Sequence, residues 1–169
     1  MTTMIVRLRS YRVAPLIIGA LLLSLFSACS SGPPKSDKAR MTVSAAADAN
    51  PAADGRPSPI VLRIYQLKED AKFNNATFFA LFDSDQQTLG SDLLAREEVE
   101  LNPGEQRQVE FEVAGEAKYV GVMAAYRDIR NAQWRATQAA PKKGLLNLVK
   151  KDAIMVTAGR AAVTVQIRD

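Results

Sequence analysis

Reactive groups are scarce in this chain, and that scarcity narrows what it can do. None of its 169 residues is histidine. This removes the usual general base, the commonest zinc ligand and every Ser-His or Cys-His nucleophile pair. Asp83-Ser84-Asp85 begins like a calcium loop, but Thr88 holds the glycine position and Leu94 the closing Glu position, so the pattern fails. Gly55 and Gly104 stand alone, without the spacing of a phosphate loop. Glu97 and Glu98 are adjacent, and strand neighbours point to opposite faces, so the two cannot flank one glycosidic bond. Phe78, Phe79, Phe82, Tyr119, Tyr126 and Trp134 have the surface to stack on a sugar, yet core packing accounts for them better. Neither a metal nor a small-molecule cofactor is expected. Elimination points to a binding or structural protein rather than an enzyme.

The one cysteine, Cys29, takes its meaning from what precedes it. Arg7, Arg9 and Arg12 lead into an apolar run from Val13 to Phe26, broken only by Pro15, Gly19 and Ser24. A basic start, an apolar middle and small residues before a cut site make a secretory signal, expected over 1–28. A membrane-spanning helix needs about 20 apolar residues, and this run falls short. Ser27-Ala28-Cys29 resembles a bacterial lipobox, with Phe26 where such boxes more often carry Leu. The resemblance implies cleavage before Cys29, which would then carry a diacylglycerol and an N-acyl chain. Ser30 in place of Asp favours the outer membrane over inner-membrane retention. The other reading is an ordinary cleaved signal followed by a free thiol.

Cutting before Cys29 removes 28 of the 169 residues and leaves 141, enough for one domain with a real core. It also removes three of the 22 basic residues and no acid, so 19 cations face 18 anions, a balance of +1. The basic pI belongs mostly to the signal and does not argue for nucleic acid. With one cysteine no disulfide can form within the chain. Residues 29–38 are polar and rich in breakers, a tether reaching at most about 30 Å.

The remaining 39–169 read as strands. Met41, Val43, Ala45 and Ala47 alternate with polar residues; 60–67 (IVLRIYQL) and 118–128 (KYVGVMAAYRD) are apolar on both faces, as central strands are. Gly121 within the second predicts a bend or a close backbone contact. Phe78, Leu81 and Phe82 switch to helical spacing behind Asn75 as N-cap, and 83–91 reads as irregular. Asn102-Pro103-Gly104-Glu105 predicts a type II turn in a hairpin, with Glu98, Glu100, Glu110 and Glu112 on the wet face. A short strand at 133–138 carries Trp134, 139–151 is a long connection with one helical turn or a partly buried cover, and a hairpin around Gly159 pairs 153–157 with 161–168. The sum is an all-β, two-layer antiparallel β-sandwich of about eight strands with one added short helix.

One loop stands apart. Residues 48–59 contain three prolines and a glycine among twelve positions, a stiff connection that would lose little entropy on binding. Composition leaves a recognition loop and a plain connector equally open.

Asn50-Pro51, Asp54-Gly55-Arg56-Pro57-Ser58-Pro59, Leu62-Arg63-Ile64-Tyr65-Gln66-Leu67, Asn102-Pro103-Gly104, Tyr119-Val120-Gly121-Val122, Ala124-Ala125-Tyr126-Arg127-Asp128 and Trp134-Arg135 occur in an order and spacing that resemble the TssJ (SciN/VasD-like) lipoproteins of bacterial type VI secretion systems. The resemblance implies a transthyretin-like sandwich held by lipid on the periplasmic face of the outer membrane. It also implies a partner, the periplasmic domain of the inner-membrane subunit TssM, contacted by the loop between the first two strands. Carried over by position, the contact residues are Asn50, Pro51, Ala52, Asp54, Gly55 and Arg56, while Arg127, Asp128 and Trp134 read as structural. A different class of function, a periplasmic lipoprotein whose sandwich binds a small molecule or glycan, would need a closed apolar pocket beside Trp134 and Tyr126.

Overall fold

Strand β2, Ile60–Leu67, decides the architecture because both of its faces are apolar and both must be covered. The computed structural model describes residues 38–140 and 154–167, so the expectations for the signal, Cys29, the tether and the connection after 140 lie outside them. In chain order come β1 (Lys38–Ala45), β2, helices α1 (Ala71–Asn75) and α2 (Phe78–Leu89), a 3-10 turn (Gly90–Asp92), β3 (Leu93–Leu101), β4 (Gln106–Glu112), β5 (Tyr119–Ala124), β6 (Arg135–Ala139), β7 (Ile154–Ala158) and β8 (Val163–Ile167). They form two four-stranded sheets, ordered β4-β1-β7-β8 and β3-β2-β5-β6. Every pairing is antiparallel except β1 with β7.

Strand parity explains both cores. Ile60, Leu62 and Ile64 of β2 and Val120, Val122 and Ala124 of β5 face the first sheet, meeting Met41, Val43, Ile154 and Val156. The opposite parity, Tyr65, Leu67 and Met123, points outward into a second cluster closed by Phe73, Phe78, Leu81 and Leu89 of the helices. The helices thus form a third, partial layer on the outer face of the second sheet. Each fully buried side chain among them adds about 1.5–3 kcal/mol. Polar groups fix the helix as well: the Arg63 guanidinium on β2 donates to Phe82 O at 2.6 Å and to Glu98 at 2.6 Å. Buried Asp85 accepts from Arg96 at 2.7 Å and from the Tyr65 hydroxyl at 3.4 Å. Burial, and then the Asp85 charge, raise the Tyr65 phenol above its ordinary value.

The sandwich, its strand count and the helix over one sheet match the expectation from sequence; three details differ. Thr77, not Asn75, caps the aromatic helix, its hydroxyl accepting from Ala80 N at 3.2 Å, while Asn75 ends a separate short helix. That aromatic helix continues to Leu89 through the stretch read as irregular, with Ser84 off helical geometry. The turn at Asn102 has the expected form, with Gly104 at φ +78° and Glu105 N donating to Asn102 O at 2.9 Å. It does not close a hairpin, however. β3 pairs with β2 and β4 with β1, so the turn passes the chain from one sheet to the other. Val99 and Leu101 therefore enter the core from one layer and Phe111 from the other.

Two contacts hold the layers in place at the end where β2 finishes. Gln66 is buried between the sheets, donating to Glu112 O at 2.6 Å and accepting from Ala114 N at 2.8 Å. On the other face, a Cβ on Gly121 would sit 3.0 Å from Leu67 Cδ1 and 3.1 Å from the Phe73 ring. The close approach expected of that glycine is real. Gly121→Ala should lower the unfolding free energy by about 1–3 kcal/mol in urea titration. A variant as stable as the parent would show that α1 yields without cost.

Candidate functional site

Three loops meet at the end of the sandwich where β1 stops, and Asn50 joins them. Asn50 is 3% exposed with φ +49°, a left-handed conformation that Asn tolerates better than most side chains. Its Nδ2 donates to Pro59 O at 2.7 Å, its Oδ1 accepts from Arg127 N at 2.8 Å, and its own N–H donates to Arg160 O at 3.2 Å. One residue thus fastens the 46–59 loop to the turn after β5 and to the β7–β8 connection. Ser58 N, donating to Ala49 O at 3.2 Å, closes the neck of the loop. At its tip Gly55 N donates to Ala52 O and Ala52 N to Arg56 O, both at 2.8 Å, with Gly55 at φ +81°. The Asp54 carboxylate accepts from Arg56 N at 3.1 Å and from Arg56 Nε at 2.6 Å. Those bonds, the backbone one foremost, hold its carboxyl below the usual range.

The six loop residues proposed from sequence therefore divide. Asp54, Gly55 and Arg56 are exposed at the tip, and Pro51 and Ala52 are half-buried on an inner wall. Asn50 is inside, where it positions the others and offers a partner little surface. Of the residues read as structural, Asp128 caps a turn, accepting from Ala132 N at 3.0 Å and from Asn131 Nδ2 at 2.8 Å. Trp134 packs edge-on against Phe78 at 5.3 Å. Arg127 has a structural backbone, but its side chain is exposed and faces the loop.

Between the 46–59 loop, the 126–132 turn and Arg160-Ala161 lies an open cleft of about 670 Å³. Pro51, Ala52, Tyr126 and Ile129 supply apolar wall; Arg127, Arg130 and Arg160 supply cations. Tyr126 donates to Gly159 O at 3.1 Å, and burial pushes its phenol up to about 12. Arg130 and Arg160 carried no sequence signal of their own, because only the folded chain brings them beside residue 51. The cleft holds no nucleophile paired with a base. Among the described residues no three His, Cys, Asp or Glu side chains gather to hold a metal. Tyr126 lines this open cleft and Trp134 does not. The void between the sheets, beside Met41, Ile64 and Phe111, measures about 10 Å³, no more than one water.

Asn50→Ala should cost about 2–3 kcal/mol in urea unfolding, from two lost side-chain bonds and a left-handed backbone. Asn50→Gly should recover only the backbone part. In either variant amide exchange at Arg127 should accelerate. Unchanged exchange would mean that the amide of Asn50 does not hold the two loops together.

The family model for type VI secretion lipoproteins (T6SS-SciN; VasD, EvfM, TssJ) matches residues 37–168. The T6SS lipoprotein TssJ1 from Pseudomonas aeruginosa is 35% identical, with a TM-score of 0.68 over 79% of this chain and 98% of that one. Serratia marcescens Lip, described as a membrane bound component of the type VI secretion system, is 28% identical with a TM-score of 0.67, over 75% and 94%. A chain in a structure described as the T6SS protein TssM C-terminal domain from EAEC is 25% identical with a TM-score of 0.58, over 76% and 96%. Among curated proteins none matches. The match over nearly all of the sandwich and the shared fold settle the family: this chain belongs to the type VI secretion lipoproteins, structural components of that machine and not enzymes.

Proposed function

We propose that this protein is an adaptor anchored by lipid on Cys29 to the periplasmic face of the outer membrane. In this reading it grips the periplasmic domain of a TssM-like inner-membrane protein through the 46–59 loop. The observation that carries the reading is the polarity of β1. The chain leading from Cys29 enters β1 at Lys38, and the strand ends at Ala45, where the loop begins. Eight residues of strand put the loop about 23 Å from the point of entry. An anchor at one end and a stiff loop at the other suit a bridge between two membranes. The relatives support it too: one chain of this fold occurs in a structure described as the TssM C-terminal domain.

The Asp54–Arg56 clasp and the Asn50 bonds fix the loop before any partner arrives, so little ordering entropy is lost on binding. Lipid and loop together act as two attachments, and the first raises the effective concentration of the second. One acyl chain binds a membrane only marginally, so a stable anchor implies several on Cys29.

Two substitutions test the two halves separately. Cys29→Ser should move the protein from the membrane to the soluble fraction; a variant that still sediments with membranes would refute the lipid anchor. Replacing residues 51–56 by Gly and Ser, while keeping Asn50, should abolish co-purification of the large inner-membrane partner. Full recovery of the partner would show that the loop is not the contact.

A further inference from the structure

The 46–59 loop forms only one wall of the cleft, and the other walls carry most of its charge. Arg127, Arg130 and Arg160 are all exposed, and Asp128 is the one acidic residue in the lining. That acid is already engaged by the Asn131 amide. Arg160 has a loose partner in Asp48 at 3.9 Å. Among the described residues, no carboxylate comes within 4.0 Å of Arg127 or Arg130. Lys and Arg outnumber Asp and Glu by only one once the signal is removed. Three guanidinium groups on one concave surface are therefore a local concentration of charge that the overall composition does not require.

We propose that this cleft receives an acidic segment of the partner protein, with side-chain carboxylates meeting Arg127, Arg130 and Arg160 and apolar residues resting on Pro51 and Ile129. The assignment rests on the adaptor reading and extends it. The recognition surface is the whole three-loop cleft, and the partner's contribution is anionic. Guanidinium suits this role because its planar fork takes a carboxylate through two parallel hydrogen bonds. The cleft is concave and its walls are fastened through Asn50, so the cations are presented in fixed positions. Charges on an open rim act mainly on partner choice and encounter rate, and their effect falls with added salt. An acidic peptide accounts for the Pro51 and Ile129 walls, which a free inorganic anion would leave uncovered.

The test uses the full lipidated chain, captured from detergent-solubilised membranes of cells that also make its partner. Partner recovery is compared for the parent, for Arg127→Gln/Arg130→Gln/Arg160→Gln, and for Arg127→Glu/Arg130→Glu/Arg160→Glu. All three should unfold at the same urea concentration, since these side chains support no core contact. Recovery should fall roughly tenfold in the Gln form and roughly a hundredfold in the Glu form, as expected for three exposed ion pairs lost and then reversed. Equal recovery from all three would overturn the acidic-segment assignment while leaving the loop contact standing. Equal losses in the Gln and Glu forms would overturn it too, because shape and not charge would be responsible. A parent that captures no partner would remove the adaptor reading, and this assignment with it.

Discussion

A strand that is apolar on both faces cannot finish a two-layer sandwich, and β2 imposes that constraint on the whole molecule. Ile60, Leu62 and Ile64 satisfy one face through the opposing sheet. Tyr65 and Leu67 remain, and with Met123 of β5 they require a lid. The chain supplies it at once, since α1 and α2 follow β2 directly and bring Phe73, Phe78, Leu81 and Leu89 back over the same sheet. Arg63, the charged interruption in β2, is used at the lid's edge. Its guanidinium stacks on Phe82 at 4.8 Å and donates to Glu98 and to the helix backbone, so a charged residue at a half-buried position is paired.

The two ends of the sandwich are closed differently, and each closure relies on one buried amide. At one end Gln66 reaches across the interior to the backbone at Glu112 and Ala114, tying sheet to sheet. At the other, Asn50 ties three loops to each other. A primary amide can do this because it carries both a donor and an acceptor, so one side chain satisfies two backbone groups of opposite kind. The first amide stabilises the body of the domain. The second shapes a surface, which is why the end bearing Asn50 can hold an open cleft without losing definition.

What the sequence discloses follows from how local each cause is. The two-faced strand at 60–67 and the Pro-Gly turn at 103–104 depend on neighbours a few residues away, and both were legible. The strand read over 118–128 is present but stops at Ala124, where the chain leaves the sheet for the turn at Arg127. The close approach at Gly121 showed only as a glycine in an apolar strand, its contacts Leu67 and Phe73 being distant in sequence. The pairing across the Pro-Gly turn was not legible. Hairpin geometry and a sheet-to-sheet crossing share the same Asn-Pro-Gly-Glu turn, and only competition from β1 and β2 for the two strands decides between them. The extent of α2 was hidden for a similar reason. Asp83 to Gln87 is polar and looks like loop, yet Asp85 is drawn inward by Arg96 and Tyr65, which lie on strands. At the candidate site the stiff loop could be read from its prolines. The inward turn of Asn50 could not, since it depends on Arg127, 77 positions away.

The same physics shapes the two ends of the sandwich. Burial between two sheets and under the helices supports the fold, and one buried amide ties each end of the sandwich. One end of the sandwich is where β1 begins, at Lys38. At the far end three loops meet, with Arg127, Arg130 and Arg160 along the cleft and Asn50 tying the loops together. A loose loop would have to be ordered each time a partner arrived, at the expense of affinity. Fastening it through Asn50 moves that ordering into the folding of the domain itself. A loop ordered in advance leaves more of any contact's free energy to appear as affinity.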